Sequence, residues 1–344
     1  MDEQRFRDYL LTRGLDADVI DRAVEVVRRF ERQLEADTPP RTLDEATRDD
    51  VRRFSAVLLE GGESTEANVL AMARYARLSG NREAIVAWLE LLDGWDVPVR
   101  LAATLGELAG PEARDAVFGG LDVPPLGTPA EAKPVFTREL MDRLAAQVDP
   151  ETCRQALTSG LHFVPREAFA EERERYLAAP DIDAFIADEH ERYVAYLSGL
   201  RDAGELYFSQ PVTDAVVEYV RGTPTCGPGL RDGAIVRVTK IPYMADRYLG
   251  EEDELLRRYF ACHCMWARES LLRPEVRVPP LLCQCSAGFE KQYWDAVLDQ
   301  PVEVDVVRSA LQGDEVCEFA VHLPPDVLPA GPVAAPSQGA SSAA

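Results

Sequence analysis

The chain has 344 residues, and 46% of them are apolar, enough for more than one hydrophobic core. Its 60 acidic against 37 basic side chains leave a formal net charge of -23, a surface that repels phosphate backbones and argues against general nucleic-acid binding. Met1-Asp2-Glu3-Gln4 opens no apolar leader, and no apolar run approaches the roughly 18 residues of a membrane span. A cytoplasmic protein without membrane contact is therefore expected.

Residues 1–80 read as short amphipathic helices. Phe6, Tyr9 and Leu10 form a first face that stops at Gly14. Val19, Ala23, Val27, Phe30 and Leu34 recur at helical spacing behind Asp16 or Asp18, until Thr38-Pro39-Pro40 breaks the pattern. Thr47 with Asp50 resembles a capping box, ahead of Val51, Phe54 and Leu58. Gly61-Gly62 ends that helix, and Ser64 can cap another carrying Val69, Met72, Ala73 and Ala76.

This order resembles the SAM-like core-binding domain of tyrosine recombinases. The matching residues are Tyr9-Leu10-Leu11-x-x-Gly14-Leu15, the helix to Phe30, and Leu43-x-x-Ala46-Thr47-x-x-Asp50-Val51-x-x-Phe54. The resemblance implies a module that docks on DNA or protein. The recombinase catalytic set, an Arg, a His-x-x-Arg and a Tyr, has no counterpart here, so recombination is not implied. The acidic charge favours a bundle packed on its own chain over one that binds nucleic acid through residues 1–80.

Ile85, Trp88, Leu89 and Leu92, then residues 99–108, extend the helical pattern, so the bundle is expected to cover 1–120. Residues 121–134 contain Pro124-Pro125, Gly127, Pro129 and Pro134 and read as a linker. Beyond it, 136–144, 150–157, 166–179 and 181–201 read as helices, with Cys153 a small buried residue. Tyr207-Phe208-Ser209 is a short strand, and Cys226 sits in an exposed loop. Residues 234–241 form a strand closed by Pro242. Residues 255–261 are helix or strand, and 286–298 a helix. Val302, Val304 and Val306 alternate as a strand that Cys317, Phe319 and Val321 answer in antiparallel. After Pro325 the composition turns to Pro, Ala, Gly and Ser, and 326–344 is expected to be disordered. The fold class is α+β: an all-α N-terminal bundle, the linker, and a domain over 135–325 with an antiparallel sheet and helices.

Five of the seven cysteines lie between 262 and 317, as Cys262-His263-Cys264, Cys283-Gln284-Cys285 and Cys317. In a reducing compartment such thiols point to metal or thiol chemistry rather than disulfides. On a strand, residues i and i+2 share a face, so two Cys-x-Cys pairs with Cys317 could surround a zinc ion, which takes about four soft ligands. The bland alternative is small buried side chains in a sheet. A nucleophile is the third option: Cys264, or Cys285 at a helix start where the dipole lowers a thiol pKa, with His263 the one histidine inside the motif. His162 and His322 adjoin apolar residues, and His190 sits among charges. Lys240 and Arg268 could hold an anionic ligand with Tyr243 donating a hydrogen bond, or simply pair with surface charges.

From Cys285-Ser286-Ala287-Gly288-Phe289, through Pro301-Val302-Glu303-Val304, to Gly313-Asp314 and Cys317-Glu318-Phe319, the chain resembles the vinyl-reductase-type ligand-binding domain. The resemblance implies an α+β small-molecule-binding fold and, as in aromatic sensors, zinc held by cysteines. Arg308-Ser309-Ala310 stands where that family has a Glu and a Cys, so Cys262, Cys264 or Cys283 would have to supply the missing ligands. The wider block from Lys240-Ile241-Pro242-Tyr243 to Cys317 looks like a family of uncharacterised bacterial proteins, some labelled hydrolases of 2-aminothiazoline-4-carboxylate. Three functions follow as expectations: a small-molecule-binding or sensor module with a zinc-binding cysteine site, a cysteine- or metal-dependent hydrolase of a small heterocycle or amide, and a DNA-associated factor. The pattern specifies no oligomer.

Overall fold

In the computed structural model, which describes residues 1–327, the apolar spacing of the N-terminal segment becomes five helices. These are α1 (Glu3–Leu11), α2 (Ala17–Glu35), α3 (Arg48–Glu60), α4 (Glu66–Ser79) and α5 (Arg82–Leu92). Most begin where the sequence offers a cap. Asp2, Thr65 and Asn81 accept backbone N–H groups at the starts of α1, α4 and α5, and Thr47 with Asp50 closes the capping box of α3. One core joins them. Phe6, Phe30, Phe54, Leu58 and Trp88 are sealed in it, with the Trp88 ring edge-on to Phe30 and Phe54.

The next two helices, α6 (Val97–Ala109) and α7 (Pro111–Phe118), were expected to extend the bundle. Their packing places them elsewhere. Val97, Leu101, Leu105 and Val117 share a core with α8 (Lys133–Gln147) and α9 (Pro150–Leu157), and with Trp266, Leu282 and Cys285. The apolar cores therefore part near 93–96 rather than at 121. An amphipathic face announces that a helix is covered, but not by what.

Residues 121–134 are fastened down rather than a free spacer. Leu126 enters the bundle core. Ser55 Oγ donates to Gly127 O at 2.9 Å and Ser64 Oγ to Leu126 O at 2.6 Å, so the helix cap expected of Ser64 falls to Thr65. Gly127 has φ +93°, and a Cβ there would lie 2.6 Å from Ser64 Oγ; only glycine fits.

The second half continues with α10 (Ala170–Ala178) and α11 (Ile182–Ala203), then a small hairpin of β1 (Leu206–Tyr207) and β2 (Gln210–Pro211). After α12 (Asp214–Arg221) come β3 (Leu230–Asp232), β4 (Ile235–Thr239), α13 (Ala245–Gly250), α14 (Glu254–Ala261), α15 (Gln284–Leu298), β5 (Glu303–Arg308) and β6 (Glu318–His322). The main sheet runs β3-β4-β6-β5 with all neighbours antiparallel. Cys317 lies just ahead of β6, and the β5 register shifts between Val306 and Arg308. Trp294, Val297 and Leu298 of α15 cover the sheet against Val236, Val304, Phe319 and Val321. Gly288 brings α15 against the end of α9: a Cβ there would lie 2.8 Å from Thr158 Cα. That approach fixes the neighbouring Phe289 and Glu290.

The observed class is α+β and mostly helical. Among the described residues no helix is long and apolar enough to cross a membrane. Most of the expected disordered tail, from residue 328 on, lies outside the described residues.

Candidate functional site

Three chain segments bring the five cysteines into one neighbourhood. Cys262 ends α14. Cys264 follows in a turn whose carbonyl accepts from Ala267 N and Arg268 N at 3.1 and 2.8 Å. Cys283 immediately precedes α15 and Cys285 lies in its first turn. The Cys317 carbonyl accepts from Lys240 N at 2.9 Å. Neither Cys-x-Cys pair is on a strand, so the shared-face geometry expected for them does not arise.

Burial dominates the thiols. Cys264 is pushed up to about 11 and Cys283 to about 12, while Cys262, Cys285 and Cys317 are also raised. Cys262 is raised further by the nearby thiols of Cys264, Cys317 and Cys283. Although it stands at a helix start, Cys285 is raised, first by desolvation and then by the neighbouring Cys264. Among the described residues no three His, Cys, Asp or Glu side chains are disposed to hold a metal ion. The two remaining cysteines serve the fold. Cys153 Sγ contacts Leu144 O and Val148 O at 3.5 Å each. Cys226, expected to be exposed, is buried and bridges to Thr239.

Around the thiols gathers a set of ionisable and aromatic side chains, the chamber residues. Asp93 is exposed, and His162, Lys240, His263, Cys264, Phe289 and Glu290 keep part of their surface accessible. Yet the surrounding protein is dense enough that burial drives Asp93 and Glu290 upward and lowers His162 to about 4 and His263 to about 3. Lys240 Nζ sits 3.8 Å from Glu290 Oε1 and 4.9 Å from the centre of the Phe289 ring. His162 meets the same ring edge-on at 6.5 Å. His263 Nε2 is 2.7 Å from Ile241 O, which fixes its imidazole. Lys133, buried on α8, lies over the Trp266 ring at 4.7 Å, and burial lowers its pKa against the pull of Asp93 and Cys264. Burial disfavours the charged form of both imidazoles.

The three expected ligand residues separate. Lys240 faces the chamber. Tyr243 and Arg268 line a cleft of about 380 Å³ that opens between α3 and α5 on one side and the β2, α13 and α14 region on the other. Tyr243 accepts from Ser209 Oγ at 2.7 Å, and burial pushes it up to about 12. The Tyr243 and His263 rings, 5.4 Å apart, lie between chamber and cleft.

Sequence reasoning did not single out Glu90, Asp93, Lys133 or Glu290. A signal existed for two of them: Glu90 and Asp93 interrupt the apolar run from Trp88 to Leu92 and its end. In the N-terminal bundle Arg7, Arg28, Arg29, Arg41, Arg48 and Arg53 are paired with carboxylates. His190 and His322 stay apart from the site, on Cys226 O and Asp305 respectively. No family model, curated protein or solved structure matches the chain.

Proposed function

We propose that this chain binds a small polar molecule in the inner chamber, as a binding or sensor module. The observation behind this reading is the gathering of unlike ionisable groups from distant segments, Asp93, His162, Lys240, His263 and Glu290, each of which retains accessible surface. Ionisable groups are seldom assembled in a desolvated recess for stability alone. Lys240 suits a carboxylate, the Phe289 ring a flat body, and Glu290 or Asp93 a basic nitrogen on the same molecule. The sequence resemblance to a small-molecule-binding domain points the same way. Calorimetric titration with pyridine-2-carboxylate and piperidine-2-carboxylate tests it. Binding is expected, weakened at least about ten-fold in Lys240→Met and in Glu290→Gln. Absence of heat, or equal affinity in both variants, would sink the reading.

A cysteine-dependent hydrolase is the second reading. What favours it is the turn after Cys264, where the Trp266 and Ala267 N–H groups act on the sulfur and lower its pKa against burial. Against it, no imidazole hydrogen-bonds to Cys264 among the described residues. Iodoacetamide mapping separates the two: a hydrolase modifies Cys264 first, well below pH 11, with protection by the same heterocyclic acids. Uniform, slow labelling of all the thiols leaves the binding role alone.

A further inference from the structure

We infer that the cleft beside the chamber is a second binding site, one that takes a carboxylate carried on a small apolar body, with Arg268 as its anchor. Arg268 is only 3% exposed. Among the described residues its Nε and Nη1 atoms have no hydrogen-bond partner and no contact with solvent. The guanidinium packs over the rings of Tyr243 and Tyr259, 4.6 and 5.3 Å from their centres. Nε and Nη1 lie on different edges of the guanidinium plane, and a carboxylate accepted through two parallel bonds takes one of them together with Nη2.

The neighbouring carboxylates are already engaged. Glu269 Oε1 is 3.7 Å from Arg268 Nε, beyond hydrogen-bond reach, and accepts the Tyr259 hydroxyl at 2.7 Å. Glu90 is 3.9 Å from Arg268 Nη2, pairs with Arg48, and receives the Tyr243 hydroxyl at 3.4 Å. Elsewhere on the wall Arg52 pairs with Glu131, and Asp246 accepts from Thr213 Oγ1. Arg268 is thus the buried cation of the cleft wall, with two donors left unpaired among the described residues. Leaving buried donors unpaired costs on the order of 1–3 kcal/mol each, so an occupant that fills them gains more than the same contact would at the surface.

The rest of the occupant is set by the walls. Val51, Val86 and Leu91 come from the helical bundle, and Pro211, Met244 and Met265 from the other half. A volume of about 380 Å³ falls in the range of small-molecule sites. Both halves contribute, so a molecule seated here ties them together. The site shares no charged residue with the chamber reading, and the two can fail separately.

Benzoate, an apolar ring bearing one carboxylate, is the probe, titrated calorimetrically into the full chain. Binding is expected. Arg268→Met should weaken it at least about ten-fold. Val86→Trp narrows the cleft from the opposite wall without touching Arg268, and should weaken it as well. Lys240→Met, which disables the chamber, should leave benzoate affinity unchanged. The inference is overturned if the full chain does not bind benzoate, if Val86→Trp binds it as wild type does, or if Lys240→Met abolishes binding. Should Arg268→Met fail to fold, the Val86→Trp and Lys240→Met results decide between the outcomes.

Discussion

Two aspartates in the same chain are treated in opposite ways. Asp50, in the N-terminal bundle, is 2% exposed. Arg41 meets both its oxygens at 2.6 Å, and the Thr47 N–H and hydroxyl each donate at 2.8 Å. Burial alone would raise its pKa, but these donors together with Arg53 hold it well below the usual carboxylate range. Asp93 ends the last helix of the same bundle. It keeps accessible surface, but no side-chain donor reaches its carboxylate among the described residues. Burial raises it, and Lys240, Lys133 and Arg268 pull it back only in part. A carboxylate that the fold satisfies is part of the fold. Asp93 is raised by burial without such donors, so its charge adds nothing to the fold.

The largest expected effect bears on the first of the pair. Asp50→Asn removes one partner of a buried charge network, and the bundle should lose roughly 3–5 kcal/mol in chemical denaturation. Asp93→Asn should instead be neutral or stabilising near pH 7, because it removes a carboxylate that burial disfavours. Equal losses from both would break the comparison.

Gly288→Ala comes next. Its Cβ would meet Thr158 Cα at 2.8 Å and the Thr158 carbonyl carbon at 2.9 Å. Such overpacking costs about 1–3 kcal/mol. Because Phe289 and Glu290 follow directly, chamber binding should weaken by more than the lost stability explains. Thermal unfolding paired with the heterocyclic-acid titration reads both effects.

Acid titration sharpens the contrast by sign. His162 has a folded pKa lowered to about 4 against 6.5, so its contribution is intact above 6.5 and is lost as pH falls toward 4. Asp93 and Glu290 have raised folded pKa values. Their contribution is complete below about pH 4 and is lost as pH rises through those values. His162→Gln should flatten the acid-side decline of stability by up to one proton per molecule. Asp93→Asn should steepen it, by removing a group that gains on acidification. Denaturant midpoints measured from pH 7 to pH 4.5 check both slopes.

The smallest effect concerns the strap over the bundle. Ser55→Ala leaves the Gly127 carbonyl without its buried donor and should cost about 1 kcal/mol while leaving chamber titrations unchanged. A change in chamber binding would mean that the strap governs the recess.

Much of the fold was legible because it is local. The faces of α2 and α3, the capping box at Thr47, α9, α15 and the β5–β6 pair follow from spacing and turn chemistry over a few residues. Allegiance between elements was not legible. Val97 and Leu101 show a helical face, but that they meet Trp266 and Leu282 is decided by contacts far apart in sequence. The site divided in the same way. Cysteine crowding marked the right neighbourhood, and Lys240, Tyr243 and Arg268 were picked out as polar groups near it. That Lys240 turns to Glu290 while Arg268 turns to Tyr259 depends on where α14 and α15 lie. Glu290 and Lys133 gave no local signal of special use, since a charged residue on a helix face is ordinary.

The register shift in β5 bears on self-association. β5 is an outer strand of the main sheet, and an outer strand offers a row of open amides and carbonyls on which another chain can stack. The displaced register between Val306 and Arg308, with Glu303 and Asp305 exposed along the rim, spoils that template by bending it and by charging it alike in every copy. The opposite rim, β3, is only three residues long and carries Arg231 and Asp232. Neither margin favours cross-β polymerisation, so the sheet can sit beside a crowded thiol cluster in a concentrated solution without seeding fibrils.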